Sequence, residues 1–299
     1  MAGACFAQPV ANSDSAPHKA PESVVILVPP TVLDTLKVFL RPGETPDTFD
    51  DYAREGNYRD LTDYLLLRRA LVLGGNTLPV VTEPWLDVSY DRVILRLRAG
   101  HAAVFSNGVW REDIPLGDIQ LKVSPPLFEY GEMEAGIYMS PHNQKLHATK
   151  TRADVQKLSA VSSKQWRPDW IALQQLGLER LYDNVYWESM LKMVRSERVD
   201  FMLIGFSNSR DLSYNAVGIS LKPVPNMKVK LAGSRGWVIS QTNPQGPSVY
   251  AAVEKGLGIL RTTGVIKRAY RDAGVINAAV ENWLVLNPME AGLTAEKIQ

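Results

Sequence analysis

The stretch LRAGHAAVFSNGVWRED, residues 97–113, holds the end of a helix, a buried strand and a polar turn in direct succession. Gly100 ends the helical pattern, and the apolar run at 102–106 predicts a buried strand. The turn after this strand carries an indole and a guanidinium, Trp110 and Arg111. A helix that runs directly into a buried strand is typical of α/β proteins.

Strand-like and helix-like patterns alternate before this segment. They come in the order VVILV (24–28, strand), DTLKVFL (34–40, strand), RDLTDYLLLRRALVLGG (59–75, helix), LPVVT (78–82, strand) and SYDRVILRLRAG (89–100, helix). Strands separated by helices predict a mainly parallel sheet that helices cover.

Polar and flexible residues predict where these two helices begin and end. Asp60 is the predicted N-cap of the first helix, with Asp63 three residues further on, and Gly74 is its predicted C-terminal stop. Ser89 is the predicted N-cap of the second helix.

A second unit follows the same plan. Its patterns come in the order KLSAVSS (157–163, strand), RPDWIALQQLG (167–177, helix), ERLYDNV (179–185, strand), YWESMLKMVRSE (186–197, helix) and VDFMLIGFS (199–207, strand). Two units built alike predict two lobes, although the match between them is too loose to be a sequence repeat.

Two long, extended, proline-containing segments connect the units, at 119–141 and 219–244. One leaves the first unit and the other returns, as a hinge of two strands requires. Helical patterns follow at 247–264 and 265–274, and we expect them to pack back on the first unit. We therefore predict an α/β fold of two lobes with mainly parallel central sheets, joined by a two-strand hinge, with a cleft between them.

These patterns also divide the chain. Lobe 1 is predicted to be discontinuous, at 23–135 plus 240–299, and lobe 2 is predicted at 139–236. Residues 1–22 are small, polar and rich in proline and serine, which leaves two alternatives. They are either the remnant of a secretory leader, because the ACFA run before Gln8 suits a cleavage position, or a disordered arm.

Composition narrows the class of protein. The chain has 299 residues, of which 45% are hydrophobic and 22% charged, as in a soluble globular protein with a sizeable core. The formal net charge is +1 and no dense Lys/Arg block occurs, so we expect no nucleic-acid partner. No apolar run reaches the ~18 residues that span a bilayer.

Metal and cofactor chemistry finds no support in the sequence. Cys5 is the single cysteine, which excludes an internal disulfide and a cysteine-based zinc site. The histidines lack metal-ligand spacing, since His142 and His147 stand five positions apart. No nucleophile elbow, P-loop or dinucleotide motif occurs. We expect neither a metal nor a cofactor.

Five segments of the sequence resemble those of a known protein family. They are 97–113, VSPPLFEYGEMEAGIYM (123–139), SAVSSKQWRPDW (159–170), SERVDFMLIG (196–205) and SRGWVISQTNPQGPSVYAAVEKGLGILRTTGVIKRAY (234–270). Taken in this order, they resemble the type II periplasmic-binding-protein superfamily, specifically the family-3-like solute-binding proteins. The resemblance spans most of the chain. It implies a monomeric, two-lobed binder that closes over a small-molecule ligand.

The resemblance also implies roles for single residues. Arg111 falls on the arginine that holds the ligand carboxylate in amino-acid-binding members. Ser106 falls near a strand-end hydroxyl, and Ser163 and Gln165 fall on the second-lobe turn. Gly205 stands where amino-acid binders usually place the aspartate that pairs the ligand ammonium. An anionic, aromatic or other non-zwitterionic solute is therefore expected as much as an amino acid.

Physical reasoning favours a site between the lobes, because ligands of open α/β sheets lie beyond the carboxyl ends of strands. Arg111 offers a planar fork for a carboxylate or phosphate. The helix that begins near Arg167 favours an anion at its N-terminus, and indole faces can flank a ligand. The predicted ligand contacts are Ser106, Asn107, Trp110, Arg111, Ser163, Gln165, Trp166, Ser207, Asn208 and Trp85.

Each of these residues also has a purely structural interpretation. In this interpretation Arg111 is a solvated or ion-paired surface residue, a role as expected as that of a ligand contact. Trp85, which follows Pro84, is then a residue that packs beneath a loop. Ser106 and Ser207 then satisfy backbone groups at strand ends.

Three functions remain open from the sequence. The first is a periplasmic or secreted solute-binding protein whose partner is an ABC transporter permease or a membrane sensor. The second is a dehydratase-like enzyme on the same scaffold, for which Glu83, Glu112 and Glu188 are the candidate acids. The third is a protein-interaction module that has lost small-molecule binding. Of these we favour the first, which is not an enzyme.

Overall fold

The computed structural model describes residues 22–86 and 90–287. The predicted leader or arm, Cys5 and the predicted N-cap Ser89 lie outside the described residues. The helices are α1 (Pro30–Phe39), α2 (Arg59–Gly74), α3 (Tyr90–Arg98), α4 (Lys145–Ala148), α5 (Arg152–Gln156), α6 (Arg167–Leu176), α7 (Trp187–Arg195), α8 (Gly246–Thr262) and α9 (Val265–Asp272).

The strands alternate with these helices through most of the chain. They are β1 (Val24–Val28), β2 (Val80–Pro84), β3 (Val104–Phe105), β4 (Val109–Trp110), β5 (Leu121–Val123), β6 (Glu134–Met139), β7 (Ser159–Ser162), β8 (Arg180–Asp183), β9 (Phe201–Gly205), β10 (Tyr214–Ala216), β11 (Ile219–Lys230), β12 (Arg235–Gly236), β13 (Val238–Ser240) and β14 (Leu284–Val285).

Lobe 1 is built on a sheet with the strand order β2-β1-β3-β13-β5. β1 pairs in parallel with β2 and with β3. β13, which follows the lobe 2 strands along the chain, runs antiparallel between β3 and β5. The mainly parallel sheet that the sequence predicts is therefore confirmed, and it is completed by a strand from the returning chain.

Lobe 2 is built on a second sheet with the strand order β10-β11-β6-β9-β7-β8. β7 pairs in parallel with β8 and β9, whereas β6 runs antiparallel to both β9 and β11. β14 adds to this sheet in parallel beside β11, so the described end of the chain returns to lobe 2.

Two antiparallel segments cross between the lobes, one from β5 to β6 and one from β11 to β13. The backbone N–H of Ser124 donates to Trp237 O at 2.9 Å, and that of Leu231 donates to Met133 O at 2.9 Å. The two-strand hinge is confirmed. The lobe boundaries 23–135 plus 240–299 and 139–236 stay a prediction, since a lobe is defined by moving as one body.

Helix α8 packs against α2 of lobe 1 at very short range. A Cβ atom on Gly256 would lie 2.0 Å from the carbonyl oxygen of Ala70, and one on Gly74 would lie 1.8 Å from that of Ala252. Only glycine allows the two backbones to approach this closely. Lobe 1 therefore contains chain from both ends of the sequence.

Local predictions fail at three places. The segment 34–40 is not a strand but part of α1, because Pro30 starts a helix and the buried side chains of Val32 and Phe39 follow helical spacing. Asp60 lies in the first turn of α2, whose N-cap is Tyr58. Gly75, not Gly74, takes the left-handed conformation after that helix, at φ 93°.

Candidate functional site

Charged and aromatic side chains from both lobes and from the hinge meet between the lobes. α2 of lobe 1 supplies three of them at its first turns, β4 and the hinge strand β12 supply two, and the first turn of α6 in lobe 2 supplies one. We call them the interlobe group: Arg59, Asp60, Asp63, Trp110, Arg235 and Asp169.

Asp63 is the most deeply buried member, with 1% of its surface exposed. Its carboxylate accepts hydrogen bonds from the backbone N–H of Gly108 at 2.9 Å and from the hydroxyl of Tyr270 at 2.6 Å. Burial raises the pKa of Asp63, while the positive charges of Arg235 and Arg59 oppose that rise. This acid fixes the turn after β3 and does not face solvent.

Arg235 holds the same turn from the hinge side. Its guanidinium donates to the carbonyl oxygen of Gly108 and stacks over the ring of Trp110, 4.8 Å from the ring centroid. Both side chains are nearly excluded from solvent. The cation and the indole together form a buried cation–π pair at the hinge.

Asp169 enters this space from lobe 2. Burial raises its pKa to about 6, even though Arg235, Arg59 and a hydrogen bond from Trp110 all favour the charged form. The cost of burying the charged form therefore outweighs the favourable charges and the hydrogen bond around this carboxyl group. A carboxyl group with this pKa is half protonated near neutral to mildly acidic pH.

Arg59 is the first residue of α2, and its guanidinium bonds to Asp60 at 2.7 Å and 2.9 Å. Burial acts to lower the pKa of Arg59, but the carboxylates of Asp60 and Asp63 outweigh it, so the pKa is raised. Tyr214 of lobe 2 also lies within the electrostatic range of Arg59. Arg59 is therefore a fixed positive charge close to lobe 2.

Tyr214 is one of three aromatic rings that follow one another in lobe 2. The ring centroids of Trp166 and Trp187 are 5.8 Å apart, and those of Trp187 and Tyr214 are 5.9 Å apart. Burial, together with the charge of Asp60, raises the pKa of Tyr214 to about 12, so its hydroxyl stays protonated. The three rings are partly exposed.

Direct hydrogen bonds join the lobes at the turn before α6. The amide of Gln165 donates to the carboxylate of Asp91 at 2.7 Å. The guanidinium of Arg167 donates to the carbonyl oxygen of Glu112 at 3.1 Å. The lobes are therefore in contact, and the space between them is closed on this side by the chain's own side chains.

The structure places the predicted residues Ser106 and Asn107 at the end of β3, inside lobe 1. Ser106 is fully buried, and its hydroxyl donates to the side-chain oxygen of Asn107 at 3.0 Å. The carbonyl oxygen of Ser106 accepts from the indole N–H of Trp237 at 2.9 Å. The Ser106 hydroxyl thus bonds to a side chain, and the backbone carbonyl at this strand end is satisfied by Trp237.

Arg111 stands next to Trp110 but points elsewhere. Its guanidinium donates to the carbonyl oxygen of Ser124 at 3.1 Å, and the residue is exposed. Its charge acts on Tyr250 of α8 and on Glu112. The structure brings Trp110 into the interlobe group and leaves Arg111 outside it.

The predicted second-lobe contacts fall into two separate places. Ser163 is fully buried, and its hydroxyl accepts from the backbone N–H of Gln165 at 3.1 Å, close to Trp166 and the interlobe group. The Ser207 hydroxyl lies 3.0 Å from that of Ser209, and its carbonyl accepts from Asn277. Gly274 packs directly against the backbone of Ser207 and Asn208, so this turn contacts the C-terminal segment instead.

Trp85 belongs to a hydrophobic cluster inside lobe 1, together with Val93, Leu97 and Phe105. The guanidinium of Arg96 lies 5.9 Å from its ring centroid. Its surroundings are those of a packing anchor.

Sequence reasoning missed Arg59, Asp169 and Arg235 as members of the site. An acid in the first turn of a helix is ordinary helix-capping chemistry, which hid Asp169. Asp63 carried a usable signal, because it is an acid within an otherwise buried run of α2.

Other features of the described residues do not add a second centre. No cluster of three or more metal-ligating side chains occurs within 22–86 and 90–287. In the same part of the chain, no helix is long and apolar enough to cross a membrane. A groove of about 630 Å³ lies on lobe 1 between α1 and β2, and leucines and prolines make up most of its lining.

Comparison with known proteins identifies the architecture. No family model matches the chain, and no curated protein matches its sequence. AbpA, an amino acid ABC transporter substrate-binding protein from Streptococcus pneumoniae bound to L-arginine, is similar in structure with a TM-score of 0.52 at 15% identity, over 84% of this chain and 93% of that one. An amino acid ABC transporter substrate-binding protein from the same organism, bound to L-arginine in a structure described as form 2, gives a TM-score of 0.51 at 13% identity, over 84% and 94%. The chain therefore has the bilobal α/β fold of the type II periplasmic binding proteins.

Proposed function

We propose that this chain is an extracytoplasmic solute-binding protein that closes its two lobes over a small polar solute. One observation carries the proposal: charged side chains from both lobes and the hinge converge on the space between the lobes. Such convergence in a fold that bends at two crossing segments favours capture of a ligand by hinge closure. An ABC importer or a membrane sensor is the expected partner.

Within this proposal the solute contacts Arg59, Asp169 and the rings of Trp187 and Tyr214. Arg59 and Asp169 come from opposite lobes, so a solute that touches both of them stabilises the closed form. Arg111 remains a predicted contact from the sequence, but its bond to Ser124 favours Arg59 as the guanidinium at the solute.

A thermal-shift screen of amino acids, amines and organic acids tests the function. A ligand that binds only the folded protein raises the melting temperature, by an amount that grows with its concentration. Each hit is then followed by small-angle scattering, where closure lowers the radius of gyration. A screen without a hit, together with a radius of gyration that no solute changes, contradicts a solute-binding role.

Paired variants locate the site for any hit. Arg59→Ala should weaken binding at least tenfold, because a charged group at the solute is lost. Arg111→Ala serves as the matched control, since it removes the same charge from a residue bonded to Ser124. Loss of binding in the Arg111 variant alone would identify Arg111, as predicted from the sequence, and not Arg59, as the guanidinium that contacts the solute.

A second function, an enzyme on the same scaffold, is favoured by one observation. Burial raises the pKa of Asp169 to about 6, a value suited to a general acid or base. The acids named from the sequence fit less well, because Glu112 is buried and accepts from Ser234, and Glu188 is exposed. Proton NMR of each hit incubated with the protein distinguishes turnover from simple binding.

The third alternative, an interaction module without a ligand, is favoured by the direct bond from Gln165 to Asp91. It predicts that the free protein is already closed in solution and that no solute changes its shape.

A further inference from the structure

We infer that residues 274–287 form a strap that ties α9 of lobe 1 to lobe 2 and limits how far the two lobes open. The strap is a third connection between the lobes, in addition to the two hinge segments. The inference goes beyond solute binding, because it concerns the free protein and is tested without a solute.

The strap begins on a helix that is fixed to lobe 1. The Tyr270 hydroxyl of α9 donates to the buried carboxylate of Asp63 on α2 at 2.6 Å. The backbone N–H groups of Val275 and Ile276 both donate to the carbonyl oxygen of Tyr270, at 2.9 Å and 3.0 Å. These bonds hold the chain against the end of α9 as far as residue 276.

The next residue is already bonded to lobe 2. The side-chain N–H of Asn277 donates to the carbonyl oxygen of Ser207, in the turn after β9, at 2.8 Å. Gly274 packs so closely on the backbone of Ser207 and Asn208 that a Cβ atom at this position would overlap with it. Consecutive Cα atoms are only about 3.8 Å apart. No slack therefore separates the last bond to α9 from the first bond to lobe 2, and the lobes separate here only if one of these contacts breaks.

The rest of the strap is embedded in lobe 2. Val280 is 1% exposed and belongs to an apolar cluster of that lobe, and the ring centroids of Trp283 and Phe206 are 5.5 Å apart. β14 then pairs with β11, and the backbone N–H of Leu286 donates to the carbonyl oxygen of Lys228 at 2.9 Å. Buried apolar side chains and strand pairing make this attachment much stronger than one surface contact.

The strap lies at the end of the lobe 2 sheet that the hinge segments enter. Ala135, the second residue of β6, pairs with Gly205 at the end of β9 and with Val229 near the end of β11. The strap runs from the turn after β9 to β11, so it spans these three neighbouring strands. A third attachment here leaves rotation about the hinge but restricts separation of the lobes. The open forms are then fewer, and closure costs less conformational entropy.

Pulsed electron spin resonance on the full chain measures the distance between the lobes. One spin label is attached at Val38→Cys on α1 and the other at Lys192→Cys on α7, both exposed, in a chain that also carries Cys5→Ser. Gln165→Glu is added so that the bond to Asp91 does not mask the effect. With the strap unaltered, we expect a narrow distribution of label distances.

The main variant inserts Gly-Ser-Gly-Ser between Ile276 and Asn277, which adds about 10 Å of reach and keeps the contacts on either side. We expect the mean label distance to increase by several ångströms and the distribution to widen. The same insertion between Val217 and Gly218, in the turn that joins β10 to β11, is the matched control. It should leave the distribution unchanged, and circular dichroism checks that both proteins fold.

Asn277→Asp tests the first bond to lobe 2 by itself. The side-chain oxygen of Asn277 also accepts from the backbone N–H of Ala279 at 2.9 Å, and an aspartate keeps that bond. Its second oxygen would face the carbonyl oxygen of Ser207 without a proton to donate. We expect a smaller shift of the label distance in the same direction.

A strap insertion that leaves the distance distribution unchanged, or a control insertion that shifts it equally, overturns the inference. Should the strap insertion prevent folding, Asn277→Asp takes its place, and an unchanged distribution in that variant overturns the inference. A solute screen without a hit would contradict the proposed function but not the strap, because these distances are measured in the free protein.

Discussion

The hydroxyl of Tyr270 on α9 donates a 2.6 Å hydrogen bond to the carboxylate of Asp63 on α2, although 207 positions separate the two residues in sequence. The other carboxylate oxygen accepts from the Gly108 backbone. One buried acid therefore joins α2, the turn at the end of β3 and α9.

Tyr270→Phe removes the hydroxyl and leaves part of the buried Asp63 carboxylate without a partner. We expect the free energy of unfolding to fall by about 1–3 kcal/mol, measured by urea denaturation. Tyr182→Phe is the matched control, because Tyr182 is 43% exposed, and it should change stability by less than about 0.5 kcal/mol. Equal effects of the two substitutions would show that the Asp63 bond adds nothing to stability.

Gly256→Ala should destabilise the protein by about 1–3 kcal/mol, because the new methyl group would meet the Ala70 carbonyl oxygen between α8 and α2. Gly258→Ala lies two residues away on the same helix with nothing within 4 Å of its Cβ position. It should stabilise by about 0.5–1 kcal/mol, since alanine favours a helix over glycine. Thermal denaturation measures the change in melting temperature of each variant, and we expect opposite signs. A shift of the same sign in both variants contradicts the close helix contact.

Asp169→Asn should stabilise the free protein at pH 7.5 and have little effect at pH 4. The folded-state pKa of Asp169 is raised from 3.8 to about 6, so folding takes up a proton between these values and stability falls as the pH rises through them. About two pKa units correspond to at most about 3 kcal/mol. Urea denaturation at several pH values measures the difference, and a variant less stable than the unaltered protein at pH 7.5 would contradict it.

Gln165→Glu should shift the free protein toward an open form, because it places a carboxylate against Asp91 in place of a 2.7 Å hydrogen bond. At this exposed position the change is about 0.5–1 kcal/mol and should fade at high salt. Small-angle scattering reads the radius of gyration. Adding Asp91→Asn should restore the original value, and a radius that stays constant in all these proteins would show that this contact does not hold the lobes together.

The periodicity of the sequence predicts most of the fold because each lobe repeats a strand and a covering helix. The segment after β1 is the exception. Its Val38 is 85% exposed while Val32 and Phe39 are buried, a spacing that fits a helix, and the proline at its start gives the same indication. A short apolar run alone does not separate a strand from a helix.

The candidate site is less predictable, because it depends on residues distant in sequence that only the fold brings together. Trp110 could be found from its place after β3. Asp169 and Arg59 could not, since each looks like an ordinary charged residue in a first helical turn. Arg111 has the right chemistry and the right turn, but its side chain bonds to the hinge backbone instead.

The glycine contact between α8 and α2 also bears on how the chain is made. The ribosome synthesises β6 to β11 of lobe 2 before it reaches α8. Helix α2, which α8 contacts, is synthesised much earlier than either. Until residue 256 emerges, the apolar side of α2 has no C-terminal neighbour to cover it. Lobe 1 therefore becomes complete only after most of lobe 2 has been made, and β14, which pairs with β11, is added to lobe 2 later still.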